Sequence, residues 1–475
     1  MNNRMYIDGE WIGAQRFERM DVRNPATGRR IGDIPIGGAL EAKMAIEAAA
    51  RAFRDWSRRT AAERGAYLMR LHRLMLEHEE DLAATITLEM GKPLKEARGE
   101  VKYAASFLEW YAEEGKRVYG EMVPSSHPDK RIMVLQQPVG VVGAITPWNF
   151  PAAMLTRKLA PALAAGCTIA IKPSEWTSFT AIKLMELVEK AEFPAGAVNL
   201  VLGDAAAIGG EFMSNDKMKK ISFTGSTRVG KLLMEQAAGQ VKKLSLELGG
   251  HAPMIVLDDA DLGLAVREII ASKFRNAGQA CICGNRVYVQ HGVYDEFIAL
   301  FAEETRKLKV GDGFDIGTDI GPLINRAARE KVERQVKDAV AKGASVVTGG
   351  DGWGGEDSCF YLPTILTHAD ESMQVMREET FGPVAPVRKF YSDEEAVRLA
   401  NDTPYGLAAY VFSRSLSRGM RMVERLEYGI VGWNDGLPST AQAPFGGMKE
   451  SGIGREGGHQ GISCYLETKY VSIGI

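Results

Sequence analysis

Cysteine and histidine are scarce in this chain, with five of the first and seven of the second among 475 residues. Cys167, Cys281, Cys283, Cys359 and Cys464 are odd in number and sparse, which excludes the disulfide framework of a small secreted domain. No second cysteine pair and no close histidine accompany Cys281 and Cys283, so a structural zinc site, which wants four ligands, is disfavoured. Long apolar runs are also missing. "PVGVVGAITPW" and "PALAAGCTIAI" fall well short of the roughly 20 residues that span a bilayer, and "MNNRMYIDGEWIG" lacks a signal-peptide core. Nor does one sign of charge dominate: 58 Lys and Arg face 61 Asp and Glu without a long run of either, so no nucleic-acid footprint is expected. The expected setting is a reducing cytoplasm. The expected partners are small molecules and other copies of the chain, with no nucleic acid and no membrane.

With 45% hydrophobic residues, a chain of this length fills two or three cores. From Leu40 to Arg117 apolar residues recur three and four apart, as at Leu68, Leu71, Leu74 and Met75, which predicts helices. From Val139 the pattern alternates between short β-rich runs ("VGVVGAIT", "TIAIKPS", "VNLVLGD", "KKISFTG") and helical segments, the signature of a parallel, doubly wound sheet. A second alternating block follows Gly249–Gly250. The α/β architecture expected is a Rossmann-type domain (1–119 and 139–249) and a second α/β domain (250–446). Segments 120–138 and 447–475 are left for a β-strand arm between subunits.

Several loops could carry chemistry. "FTGSTRVGK" places Gly225 and Gly230 between a strand and a helix, where a phosphate could sit on the helix N-terminus, or where the chain simply turns. "IKPSEWT" ends a strand, the side of such a sheet that faces ligands. There Lys172 and Glu175 could meet ribose hydroxyls, a carboxylate favouring NAD over NADP; a solvated ion pair is the alternative. In "TPWNFP", Asn149 is clamped between prolines and aromatics and could be a rigid amide donor or a turn residue. Glu247 ends the alternating strand "LSLELGG" on the face opposite Leu246 and Leu248. In "NAGQACICGNR" the polar, glycine-containing flanks favour a reactive thiol over a buried one.

Together these segments resemble the aldehyde dehydrogenase family. The resemblance lies in "PWNFP", "KPSE", "FTGSTRVG", "LELGG", "GQACICGNR", "EETFGPV", "NDTPYGLAAYVFSR" and "PFGGMKESGIGRE", eight motifs in the family's order across almost the whole chain. It implies an NAD(P)-dependent oxidation of an aldehyde to an acid by a homodimer or homotetramer. Cys281 would be the nucleophile, Glu247 the general base, and Asn149 with the Cys281 backbone N–H the oxyanion hole. Cofactor contacts would come from Ile145, Thr146, Pro147, Trp148, Lys172, Ser174, Glu175, Gly225, Ser226, Leu248, Glu379 and Phe381.

Within the family the Cys-X-Cys pair, "LEYGIVGWNDG" and "GGHQGISCYLETKYV" resemble the succinate-semialdehyde dehydrogenases. That subgroup implies Arg157, Arg275 and Ser439 as the grip on a distal carboxylate, for which the planar guanidinium fork is suited. Ala280, Gly284 and "DGLPST" depart from the subgroup's usual residues and leave room for glutarate semialdehyde or a neutral aldehyde such as lactaldehyde. Two residues from Cys281, Cys283 is a candidate redox partner that could close a reversible disulfide, or else a small packing residue. No metal is expected.

Overall fold

The β-rich runs of the first block form the middle of an eight-stranded sheet. In the computed structural model, which describes residues 2–15 and 18–475, positions 1, 16 and 17 of the first predicted domain lie outside the described residues. Five strands pair in parallel, in the spatial order Val198–Leu200, Thr168–Lys172, Val141–Ile145, Met218–Thr224, Lys243–Glu247. Such strands are covered on both faces; all five residues of Thr168–Lys172 are buried, and Ile169, Ala170 and Ile171 at its centre are apolar. The order reverses between Val141–Ile145 and Met218–Thr224. At that reversal the loops after the two strands part and leave a crevice for ligands. Those loops are Thr146–Phe150 and Gly225–Ser226.

Pro151–Ala165 begins with proline, whose missing N–H costs nothing at a helix start, and stops at Gly166 in the left-handed region (φ +98°). Every residue of this helix is buried, including Arg157 and Lys158. The preceding helical layer comprises Ala39–Trp56, Ala61–Glu77, Glu79–Met90 and Leu94–Glu114, close to the predicted stretch.

A second, seven-stranded sheet begins after Gly250. Its strands Ala252–Val256, Gly284–Gln290, Thr364–Thr367, Val384–Phe390, Ala408–Phe412 and Ile430–Trp433 are parallel to their neighbours, and only the edge strand Ser345–Thr348 runs against them. The expected two-part α/β architecture is thus present. The loop that carries Cys281 enters this sheet at the start of Gly284–Gln290, while Glu247 leaves the first sheet at the end of its last parallel strand.

Lys130–Pro138 pairs antiparallel with Leu466–Gly474 along all nine residues of each, and Glu121–Val123 adds a third strand. These three strands form a separate sheet. The segment expected to complete it, 447–475, divides. Gly452–Ile453 joins the edge of the first sheet beside Leu246 and Glu247, and the helix Gly458–Ser463 packs on Pro151–Ala165. Glycines at 452, 454, 457 and 458, all at positive φ, let the chain fold back there instead of extending.

Candidate active site

Between the two sheets lie two cavities of about 330 and 310 Å³, and Cys281 and Met154 are the residues lining both. Gly250, where the chain crosses between sheets, sits so close that a Cβ there would stand 2.3 Å from the Cys281 carbonyl oxygen. The loop is braced elsewhere too: the Tyr410 hydroxyl donates to the Ile282 carbonyl (2.6 Å), and Asn276 and Ala277 hold left-handed φ values of 53° and 55°. Strained backbone of this kind persists only where its surroundings fix it. Burial pushes the Cys281 thiol up to about 12, with Arg157 pulling the other way.

Asn149 is 4% exposed, and its side-chain amide donates to the Gln279 carbonyl (3.0 Å), which leaves its second N–H for a ligand. Its own carbonyl accepts from Lys92 Nζ (2.8 Å) and from the Asn276 amide (3.0 Å). Lys92 in turn pairs with Glu100 (2.6 Å), whose other oxygen accepts from the backbone of Ala152 and Ala153 at the start of the buried helix. A buried ion pair thereby anchors the Asn149 loop to that helix.

Both carboxylate oxygens of Glu247 are buried without a hydrogen-bond partner. Burial, and then the nearby charge of Glu456, hold this carboxyl well above the usual range, against the pull of Arg157 and Lys158. Glu456 pairs with Lys158 and, at 3.0 Å, with Arg157; against the cost of burial these cations keep it below the usual range. Of the two carboxyls, Glu247 is the one that takes the proton. Gly446 makes room for it: a Cβ there would come within 2.8 Å of Glu247 Oε1.

The larger cavity brings together Pro147, Trp148, Asn149, Gly225, Ser226, Leu248, Cys281, Glu379 and Phe381 from the predicted set. Trp148 and Phe381, from different sheets, meet edge to face with ring centres 5.5 Å apart. Ser226 caps the helix Thr227–Ala238, so free backbone N–H groups point where a phosphate would sit. Glu379 accepts from the Gly250 amide (3.0 Å), and Lys331, missed from the sequence, adds a cation to the lining. Ile145, Thr146, Lys172, Ser174 and Glu175 lie at adjoining strand ends outside that lining, with Lys172 paired to Glu175 (3.2 Å). A helix N-terminus, two aromatic rings and a carboxylate–ammonium pair suit a nicotinamide dinucleotide. Among the described residues no cluster of three His, Cys, Asp or Glu could hold a metal ion.

The smaller cavity gathers Arg157, Arg275 and Ser439 with Glu96, Tyr103, Phe150 and Phe445. The Arg157 guanidinium stacks 3.9 Å from the Phe445 ring, and that of Arg275 lies 5.2 Å from Phe150. Cys283 lines neither cavity. Its thiol is 1% exposed, donates to the Gly278 carbonyl (3.1 Å) and lies 3.7 Å from Lys273 Nζ; all five cysteines are unbonded. A Cys281–Cys283 bond would have to break these contacts.

The profile of the aldehyde dehydrogenase family matches residues 11–471. A succinate-semialdehyde dehydrogenase [NADP(+)] of Escherichia coli (strain K12) is 54% identical over 99% of this chain and 97% of its own length. A glutarate-semialdehyde dehydrogenase of Pseudomonas putida is 52% identical over the same shares. The crystal structure of a succinate-semialdehyde dehydrogenase from Burkholderia pseudomallei superposes with a TM-score of 0.98 at 53% identity, covering 100% of this chain and 98% of that one.

Proposed function

The chain belongs to the aldehyde dehydrogenase family, and from that premise we propose that its substrate is an aldehyde with a distal carboxylate, succinate semialdehyde foremost. It is an NAD(P)-dependent enzyme that oxidises an aldehyde to a carboxylic acid. The observation that carries the substrate reading is the meeting of Arg157, Arg275 and Ser439 in one cavity with Cys281. Two guanidiniums bind a carboxylate through charge-assisted hydrogen bonds, and a neutral aldehyde leaves Arg275 without a counter-ion.

In this reading the Cys281 sulfur adds to the aldehyde carbon, and the free N–H of Asn149 meets the oxygen as it gains charge. The dinucleotide, when bound, supplies the hydride acceptor. Glu247 then draws a proton from a water that attacks the resulting thioester, releasing the acid and the thiol. Its raised affinity for a proton suits a base, and its unpartnered oxygens are free to receive one. Gly225, Ser226, Leu248, Glu379, Phe381 and Trp148 would hold the dinucleotide, with Lys172 and Glu175 at the adenosine end. Glu175 favours a free 2′-hydroxyl, hence NAD, because it repels a 2′-phosphate. The arm, exposed along most of Leu466–Gly474, supports assembly into dimers or tetramers, and the chain works in the cytoplasm. No helix among the described residues is long and apolar enough to cross a membrane.

Glutarate semialdehyde is the second reading, favoured by the relative of that name. A panel of succinate, glutarate and neutral aldehydes, each run with NAD and with NADP, decides. Equal kcat/KM for butanal and succinate semialdehyde would end the carboxylate reading.

A further inference from the structure

We infer that Glu96 is a charge selector in the substrate cavity, restricting the distal group of the aldehyde to a single negative charge. The inference rests on the reading that Arg275 meets that group. Glu96, Glu100 and Tyr103 lie four and three residues apart on Leu94–Glu114, hence on one helix face, and all three line the cavity. The charges around them divide into those already matched and those not. Glu100 is matched by Lys92, while the single charge of Glu456 is shared between Lys158 and Arg157. Among the described residues Arg275 has no carboxylate within 4.0 Å, and its Nε is buried without a partner. Glu96 likewise has no ion pair; Oε2 accepts from the Asn276 backbone N–H (2.8 Å), and no residue donates to Oε1.

Outside these close pairs the cavity therefore holds one cation, Arg275, and one anion, Glu96, near enough for Arg275 and Lys92 to favour the Glu96 charge against its burial. A monoanionic substrate answers Arg275 and tolerates a carboxylate at some distance. A second negative charge faces Glu96 in a half-buried setting, where like charges repel more strongly than in water. Glu96 also braces the left-handed turn before Cys281 through Asn276, so its position is fixed relative to the reacting sulfur.

Two aldehydes of equal length and similar shape isolate the charge: 3-sulfopropanal, singly charged, and 3-phosphonopropanal, doubly charged at mildly alkaline pH. Glu96→Gln keeps an acceptor for Asn276 and removes the charge. The phosphonate-to-sulfonate ratio of kcat/KM is expected to rise about tenfold in Glu96→Gln over the unmodified enzyme, the scale of one like-charge contact at intermediate dielectric. A ratio within about twofold of the unmodified enzyme, including a uniform loss on both substrates, overturns the inference and leaves Glu96 a loop brace. Failure of the parent reading shows separately: Arg275→Met would then keep the preference for 3-sulfopropanal over butanal.

Discussion

Arg157 and Glu456 face each other at 3.0 Å, Nε to Oε2, with both side chains withdrawn from water. The pair joins a helix of the first domain to the last motif of the chain, and Glu456 also holds Lys158, which donates to Thr224 at the end of a sheet strand (2.6 Å). Glu456→Gln leaves two buried cations without their counter-ion. The expected loss is about 3–5 kcal/mol in the unfolding free energy, measured by urea titration. The same change removes the negative charge that helps raise Glu247, so the acid limb of kcat moves to lower pH. A limb that stays in place would uncouple the two carboxyls.

Burial holds the free thiol of Cys281 up to about 12, so below that value the thiolate fraction grows about tenfold per pH unit. Inactivation by iodoacetamide in the absence of dinucleotide should therefore rise steadily through neutral and mildly alkaline pH. A plateau near neutrality would mean a thiolate already formed. Glu247 points the same way: its raised carboxyl keeps the proton at lower pH, and rising pH frees the base. Steady-state turnover accordingly increases with pH on its acid side.

Glu247→Gln keeps the shape of the side chain and abolishes its basicity. A single burst of reduced dinucleotide, about one per active site, should appear and then stall at the thioester. Full steady-state turnover in this variant would remove Glu247 from deacylation.

Arg275→Ala removes the cation that has no protein carboxylate partner. For succinate semialdehyde kcat/KM should fall roughly ten- to hundredfold, the worth of a charge-assisted hydrogen bond, while butanal changes far less. Parallel losses on both would locate the effect in the loop rather than in recognition.

Cys283 is buried beside Lys273 and hydrogen-bonded to Gly278, away from the cavities that Cys281 lines. Peroxide should inactivate the enzyme and Cys283→Ala to the same extent, with equal recovery in dithiothreitol. Recovery that depends on Cys283 would establish the disulfide partnership that the sequence alone suggests.

What the sequence made legible follows from where glycine and proline punctuate it. "TPWNFP", "FTGST" and "LELGG" sit at strand ends, and their turn residues announce loops whose neighbours could be read for chemistry. The supports of those loops were invisible. Lys92, Glu100, Lys158 and Glu456 look like ordinary charges of helices and a glycine-rich tail, because periodicity assigns charge to solvent. They are instead buried in pairs whose members come from different elements, as Lys158 and Glu456 do across 298 residues. Arg157 and Lys158 are drawn inside because the helix Pro151–Ala165 is buried along its whole length. Lys331 gave no sign of its place either, being one lysine of a highly charged helix, Arg326–Ala341. The sequence pattern groups "GGMKESGIGREGG" with the strand that follows it, whereas its glycines fold it back onto the first sheet.

Met154 and Cys281 are the shared wall of two rooms whose remaining linings do not overlap. Changes made in one room leave the other's furniture in place. Tolerance for longer or differently charged aldehydes and the choice of electron carrier can consequently be altered by separate sets of mutations, and improvements in the two traits should combine nearly additively.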